Sequence, residues 1–170
     1  MAEPLAAYAA PAGAQVGHVH LQVTDLDRSL AFYQGLLGFE LQQRYGAQAA
    51  FLGAGGYHHH IGLNTWNSLG GAPARTQGAA GLYHAALLYP TRADLGRVVG
   101  RLVAAGYPLR GAADHGVSEA VYLNDPDGNG LELYWDRPRE EWPRDAAGGI
   151  AMYTQPLDLR ALVAAGETPA

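Results

Sequence analysis

Apolar positions along the chain follow the period of a helix in some stretches and the period of strands in others. Between Leu26 and Leu37, apolar residues recur at i, i+4, i+7 and i+11, which predicts a helix with one buried face. Asp25 or Asp27 can cap its start, and Gly38 is suited to follow its last turn. Strand-like runs lie on both sides of this helix, so the pattern predicts a β-α-β-β-β unit. The strands are expected at residues 16–23, 39–44, 49–52 and 57–65.

The second half of the chain repeats this order of elements. Thr91, with Asp94 three residues on, predicts the start of a second amphipathic helix, which Gly106 should end. His18 and His84 each lie seven residues before their helix cap, which indicates a duplication of about 66 residues. Two such units are expected to bury their helices on one side of a shared sheet, giving an α+β fold. The strands of this half are expected at residues 82–89, 108–112, 117–124 and 130–136.

The pattern predicts one α+β module over residues 16–136, formed by paired β-α-β-β-β repeats around a metal-centred cleft. The repeats cover about 16–65 and 82–136, and the Gly- and Ala-rich loop 66–80 between them is typical of a lid or a disordered link. We expect residues 1–15 to form a flexible arm. Residues 137–170 are expected to pack back on the body or on a partner subunit.

Composition narrows the classes of function. At 170 residues, with 48% hydrophobic and 16% charged residues, the chain is typical of a globular protein. A net charge of −5 and the lack of lysine argue against a nucleic-acid partner. There is no cysteine, so a metal site would need His and carboxylate ligands. No run has the length of a membrane span and the first residues lack the basic start of a signal peptide, so we expect a cytoplasmic protein.

A predicted hairpin near the C-terminal end of the module carries the first candidate chemistry. Its turn, 125–129, reads Asp-Pro-Asp-Gly-Asn, and the flanking runs alternate as strands do. If the hairpin is centred on Asp127, Tyr122 lies opposite Glu132 on one face of the sheet. His115 lies at the strand entrance. For the hairpin alone, a surface Glu beside an ordinary aromatic residue is the simpler interpretation.

Two histidines at equivalent positions change this interpretation. His18 and His84 lie in the first strand of each repeat, so a pseudo-twofold arrangement can bring their imidazoles together, and Glu132 can join them. Two His and one carboxylate leave coordination positions open, as in non-haem Fe(II) oxygenases. A single buried His on a strand is more often a packed core residue. The repeat-equivalent pair together with the carboxylate favours a metal site.

The run His58-His59-His60 enters the fourth predicted strand. Strand alternation places the apolar residues of that strand on one face, so His60 and Gly62 are expected to face the cleft. For His58 and His59, a solvated turn or an adventitious metal contact is the simpler interpretation. His20 shares a face with His18 and could support a ligand or replace one.

These motifs resemble those of the vicinal oxygen chelate superfamily. The segments that carry the resemblance are 17–21 (Gly-His-Val-His-Leu), 25–26 (Asp-Leu), 83–84 (Tyr-His) and 125–128 (Asp-Pro-Asp-Gly), ending in Glu132. Within that superfamily, residues 58–66 and 115–132 resemble catechol 2,3-dioxygenase-like extradiol enzymes. The resemblance covers about residues 16–143.

The resemblance implies a role for each candidate residue. His18, His84 and Glu132 would bind Fe(II), with Mn(II) or another divalent metal as the alternative. His60, or His59 in a shifted register, would match the histidine that handles the proton and bound dioxygen. His115 and Tyr122 would match the second active-site histidine and the tyrosine that hydrogen-bonds the diol. The implied reaction is ring cleavage of a small aromatic diol by O2, in a homodimer whose halves are sometimes exchanged.

Three other functions remain open from the sequence. A glyoxalase-type isomerase or lyase of the same fold usually has a fourth protein ligand, a carboxylate where Gly62 lies here. A thiol transferase acting on a phosphonate would need a dense cationic pocket, and the strands of the proposed metal ligands carry no Arg. A metal-free binding protein would not require the two aligned histidines and Glu132.

Overall fold

The computed structural model describes residues 8–71 and 80–167. The N-terminal half forms a four-stranded sheet in the order β1-β4-β3-β2, in which β1 and β4 are parallel and the other pairs antiparallel. We call it the N-terminal sheet. Its elements are β1 (Val19–Gln22), α1 (Leu26–Leu30) with a π-helical continuation (Ala31–Leu36), β2 (Glu40–Tyr45), β3 (Ala49–Gly53) and β4 (Ile61–Asn64).

The C-terminal half repeats this arrangement and adds a fifth strand. The C-terminal sheet has the order β5-β8-β7-β6-β9, with β5 parallel to β8. A short 3₁₀ helix, Arg139–Glu141, follows β8. The other elements are β5 (Ala85–Leu88), α2 (Arg92–Ala104), β6 (Leu109–Asp114), β7 (Ser118–Asn124), β8 (Gly130–Asp136), β9 (Gln155–Pro156) and α3 (Leu159–Glu167).

Both helix starts follow the predicted caps. The Asp25 side chain accepts from the backbone N–H of Arg28, and the Thr91 hydroxyl accepts from that of Asp94. Gly38 and Gly106 follow the helices with φ of 83° and 65°, a left-handed conformation that favours glycine. The α+β class and the duplicated β-α-β-β-β order are confirmed. The π-helical second half of the first helix was not predicted, because its apolar spacing is the same as that of an α-helix.

The two sheets are held together by the packing of apolar side chains from their strands and helices. Apolar side chains from both halves form one buried cluster, which includes Tyr33, Leu52, Leu95 and Leu131. Within the described residues, no strand of one sheet is hydrogen-bonded to a strand of the other. The expectation of one shared sheet is therefore not met inside a single chain. Alternation of apolar residues fixes which face is buried, but it does not specify the partner of an edge strand.

The turn of the β7–β8 hairpin is fastened to the start of α1. Asp127 Oδ1 accepts from both the amide and the hydroxyl of Thr24, and it pairs with Arg28 Nη2 at 2.6 Å. The hydroxyl of buried Tyr33 donates to Asp125 Oδ2 at 3.0 Å. The N-terminal half thereby positions the hairpin that carries Tyr122.

The C-terminal tail packs on the body of its own chain. Leu162 of α3 is fully buried, and α3 lies against α2 where Gly96 and Gly166 meet. A Cβ on Gly96 would lie 2.2 Å from the carbonyl oxygen of Leu162, so only glycine allows this close approach. Strand β9 pairs with β6, which extends the C-terminal sheet.

Parts of three sequence predictions lie outside the described residues. These parts are 1–7 of the predicted arm, 72–79 of the predicted lid or link, and 168–170 of the tail. In the portion of the chain that is described, no helix is both long and apolar enough to cross a membrane.

Candidate active site

The β7–β8 hairpin has the predicted register. Tyr122 lies directly opposite Glu132, and the phenol donates to Glu132 Oε1 at 3.3 Å. The turn is fixed by Asp125, whose Oδ1 accepts from the backbone N–H groups of Asp127 and Asn129. The turn residues therefore determine which side chain faces the carboxylate.

A histidine from β5's N-terminal flank completes a pair with this carboxylate. Strand β5 runs parallel to β8 with Ala86 opposite Glu132, and His84 lies two residues before Ala86. His84 Nε2 and Glu132 Oε2 are 2.9 Å apart, with side chains 30% and 15% exposed. The imidazole and the carboxylate thus converge at a partly shielded position that solvent still reaches.

His115 extends this pair into a chain of polar groups. Its Nε2 lies 2.7 Å from the Tyr122 hydroxyl, and its Nδ1 lies 3.1 Å from the backbone oxygen of Tyr153. The Thr154 hydroxyl also lies 3.2 Å from Nδ1. Because a carbonyl oxygen only accepts, Nδ1 carries a hydrogen in this arrangement. The contribution of residues 153 and 154 was missed from the sequence, since the pairing of β9 with β6 has no periodic signal.

The phenol of Tyr122 has a single proton, which it can donate in one of two directions. If His115 is charged, its Nε2–H donates to the phenol and the phenol donates to Glu132. If His115 is neutral with its hydrogen on Nδ1, the phenol donates to Nε2 instead. The tyrosine oxygen therefore keeps its proton in both arrangements, and only the direction of its hydrogen bond changes.

The surroundings of Tyr122 keep its hydroxyl protonated. Burial raises the pKa of Tyr122 to about 12, and the negative charge and hydrogen bond of Glu132 act in the same direction. The side chain is therefore a neutral hydrogen-bond donor at physiological pH.

His84, His115 and Tyr122 line a cavity of about 390 Å³ on the C-terminal sheet. Small residues, among them Ala113 and Gly130, line part of the remainder. The lining includes His84, Arg110, His115, Tyr122, Leu123 and Leu131. We call it the hairpin cavity.

The third predicted ligand lies elsewhere. His18 precedes β1 on the N-terminal sheet, and its ring centroid is 4.5 Å from that of His59. Across residues 8–71 and 80–167, no group of three His, Asp or Glu side chains is arranged to hold a metal ion. A single chain therefore brings together His84 and Glu132 but does not add His18 to them.

The histidine run is arranged differently from the prediction. The His60 Nδ1 accepts from the amide of Ala54 at 3.3 Å, and its ring packs near Tyr57. His59, not His60, lies beside His18. The cause is that β4 begins only at Ile61 and the chain bends before it, so strand alternation does not extend back to the histidines.

The other histidines of this half also have partners. His58 Nδ1 lies 2.7 Å from His59 Nδ1. The His20 ring lies over Gly62, where an added Cβ would be 2.9 Å from His20 Cγ. Burial, together with the charge of nearby His18, lowers the pKa of His20. His60 instead has Phe39 and Tyr57 as ring neighbours.

Comparison with known proteins identifies the family. Residues 15–133 match the sequence profile described as Glyoxalase/Bleomycin resistance protein/Dioxygenase superfamily. The chain belongs to this superfamily. The vicinal oxygen chelate resemblance and its fold are thereby confirmed.

Curated relatives from this superfamily are dioxygenases. The chain is 41% identical over 148 residues to a catechol-2,3-dioxygenase of Bacillus subtilis, which covers 87% of this chain and 50% of the relative. It is 34% identical to biphenyl-2,3-diol 1,2-dioxygenase 3 of Rhodococcus globerulus, covering 72% of this chain and 63% of that protein. The chain thus spans between one half and two thirds of the length of these relatives.

Solved structures share the fold. A lactoylglutathione lyase of Agrobacterium tumefaciens superposes with a TM-score of 0.55 at 24% identity, covering 74% of this chain and 96% of that one. A glyoxalase/dioxygenase of Nostoc punctiforme gives 0.57 at 21% identity, covering 79% and 100%. At these identities, the likeness is one of fold alone.

Proposed function

We propose that this protein is an Fe(II)-dependent extradiol dioxygenase that opens the ring of a catechol-type diol with O2. The observation that carries the proposal is a connected group of polar side chains beside one cavity: His84, Tyr122 and His115 line the cavity, and Glu132 contacts both His84 and Tyr122. A metal-ligand pair, a neutral phenol and a proton-holding imidazole are the groups that this reaction needs. The similarity to two diol dioxygenases supports the same conclusion.

The donor set of the hairpin cavity fits a divalent metal. His84 Nε2 and Glu132 Oε2 lie 2.9 Å apart, and both are atoms that coordinate Fe(II) or Mn(II). Glu132 Oε1 accepts from Tyr122, which orients the free oxygen toward His84. We propose His18 as the third ligand. Iron held there would supply coordination of both diol oxygens and electron transfer from the diol to O2.

The residues of the chain itself bind the diol and manage its protons. The Tyr122 hydroxyl would donate a hydrogen bond to a diol oxygen, since it stays protonated. His115 would take up a proton at Nε2, and the carbonyl of Tyr153 holds its ring in place through Nδ1.

We propose that a second copy of the chain supplies the missing ligand. His18 flanks β1 and His84 flanks β5, and both strands are edges of their sheets. Unpaired edges readily associate with another chain, and Tyr83 beside the β5 edge is 81% exposed. In an exchanged homodimer, His18 of one copy would join His84 and Glu132 of the other.

Mixing two inactive variants tests the shared site. The His18→Ala chain keeps His84 and Glu132, whereas the Glu132→Gln chain keeps His18. A heterodimer of the two would contain one intact site, so an equilibrated equal mixture should regain about a quarter of the parent's activity. A mixture that stays as inactive as each variant alone would place the whole site within one chain.

Iron content and turnover test the reaction. Protein purified without oxygen and loaded with Fe(II) should hold one iron per chain, consume O2 and convert catechol to a ring-opened product. The His84→Ala variant should fold but lose the iron, because the core comes from other residues. Full iron occupancy in that variant would reject the ligand assignment, and iron-loaded parent that opens no diol would reject the function.

The isomerase alternative has less support. Gly62 has no side chain that could serve as the fourth ligand. A longer residue there would collide with the His20 ring, since even an added Cβ would be 2.9 Å from His20 Cγ. The similarity to the lactoylglutathione lyase is one of fold alone.

A further inference from the structure

The hairpin cavity contains a cation that the sequence analysis did not single out. Arg110 lines the cavity together with His115 and Tyr122. It lies on β6, where the pairing with β7 shifts: Leu109 is opposite Leu123, and Gly111 is opposite Tyr122. Arg110 is the extra residue of this β-bulge. Bulges re-aim one side chain out of the regular alternation and occur often beside active sites.

The guanidinium of Arg110 has no charged partner among the described residues. Its Nη1 donates to the neutral side-chain oxygen of Asn124 at 3.1 Å. In the described part of the chain, no carboxylate lies within ion-pair distance of Arg110, whereas Arg28, Arg92 and Arg137 are all paired with carboxylates. An arginine with free donors at a cavity mouth is suited to bind a carboxylate in a bidentate manner.

The distance from Tyr122 fits a substituent on the substrate. Tyr122 and Asn124 lie on the same face of β7, two residues apart, which corresponds to roughly 7 Å along the strand. Since Arg110 is bonded to Asn124, its guanidinium is held by a residue that lies beyond Tyr122 along β7. His115 lies on the other side, in contact with the phenol. A diol bound at Tyr122 would direct its opposite edge toward Arg110.

We propose that Arg110 selects diols that carry a carboxylate on the ring edge opposite the hydroxyls. This inference rests on the proposed function of the hairpin cavity and adds the substrate class to it. Asn124 is the positioning residue, because its side-chain oxygen holds the guanidinium toward the cavity while leaving most of its donors free.

Three variants test the proposal against two substrates, catechol and 3,4-dihydroxybenzoate. For the carboxylated diol, Arg110→Gln should lower kcat/KM by about 10- to 100-fold, while catechol stays within about twofold. Asn124→Asp should also lower the preference for the carboxylated diol over catechol, since the new carboxylate would compete with that of the substrate for the guanidinium. Arg160→Gln removes an equal charge from an exposed position on α3 and should change neither value.

A binding measurement separates this inference from the proposed function. Without oxygen, calorimetric titration of iron-loaded parent should give a lower Kd for the carboxylated diol than for catechol, and Arg110→Gln should remove that difference. If the parent shows this pattern but opens neither diol, the proposed function fails and the role of Arg110 stands. If Arg110→Gln weakens both diols equally or neither, the inference is wrong.

Discussion

Removing the Tyr122 hydroxyl should slow ring opening far more than it destabilises the fold. Tyr122→Phe deletes two contacts, at 2.7 Å to His115 and at 3.3 Å to Glu132. Because the side chain is half-buried, water can replace the lost partners, and the cost in free energy of unfolding is about 1 kcal/mol. The ring itself remains, so the packing of the hairpin is retained.

The kinetic cost should be larger, since the phenol no longer positions the diol and His115 for proton transfer. Such losses reduce the rate by about 100- to 10,000-fold, equivalent to about 3 to 5 kcal/mol in the barrier. The assay is a single turnover: iron-loaded protein is saturated with the diol without oxygen, mixed with O2, and followed by the absorbance of the ring-opened product. Iron content and the Kd of the diol should remain close to those of the parent.

Tyr134→Phe is the matched control for this experiment. Tyr134 lies on β8, two residues from Glu132 and on the same face, and its hydroxyl has no hydrogen bond within the described residues. Its removal should leave the single-turnover rate within about threefold of the parent. Two results would refute the role of the phenol. One is that both variants turn over at the parent's rate per bound iron. The other is that Tyr122→Phe is less stable, while its folded protein still turns over at the parent's rate.

The remaining predictions concern the histidine run, the tail and the hairpin turn. His59→Ala should slow turnover, whereas His60→Ala should leave turnover per bound iron near that of the parent; equal effects would contradict the placement of His59 beside His18. Gly96→Ala should lower the free energy of unfolding by about 2 kcal/mol in urea, although Gly100→Ala on the same helix should be neutral or stabilising, as its Cβ has room. Asp127→Asn should cost about 2 kcal/mol because three donors lose a charged acceptor, and an unchanged urea midpoint would show that this contact is dispensable.

Local chemistry made the hairpin and the caps predictable. The Asp-Pro-Asp-Gly-Asn turn sets the hairpin register, so the pairing of Tyr122 with Glu132 followed from centring the turn on Asp127. Asp25 and Thr91 could be identified as caps because their side chains bond the backbone within three residues. The hairpin turn and the helix caps depend only on residues close together in the sequence, so they could be predicted without knowing the fold.

Features that depend on distant contacts were not predictable in the same way. The position of His60 beside Tyr57 could not be predicted, because the chain bends before β4 and strand alternation does not extend across a bend. The contact of Tyr153 with His115 depends on where the tail returns to the sheet. The bulge at Arg110 requires the pairing of two strands to be known. Whether His18 meets His84 depends on which N-terminal sheet associates with which C-terminal sheet. The duplication does not specify whether those two sheets belong to the same chain or to two copies.

The measurement that tests the central claim most directly is the fate of labelled oxygen. Iron-loaded protein would be mixed with a diol under ¹⁸O2, and the product analysed by mass spectrometry. A dioxygenase built on His84, Glu132, Tyr122 and His115 should place both labelled atoms in one ring-opened product, and Glu132→Gln should form none of it. A product without label, or intact diol after full iron loading, would contradict the assignment of this cavity to ring cleavage.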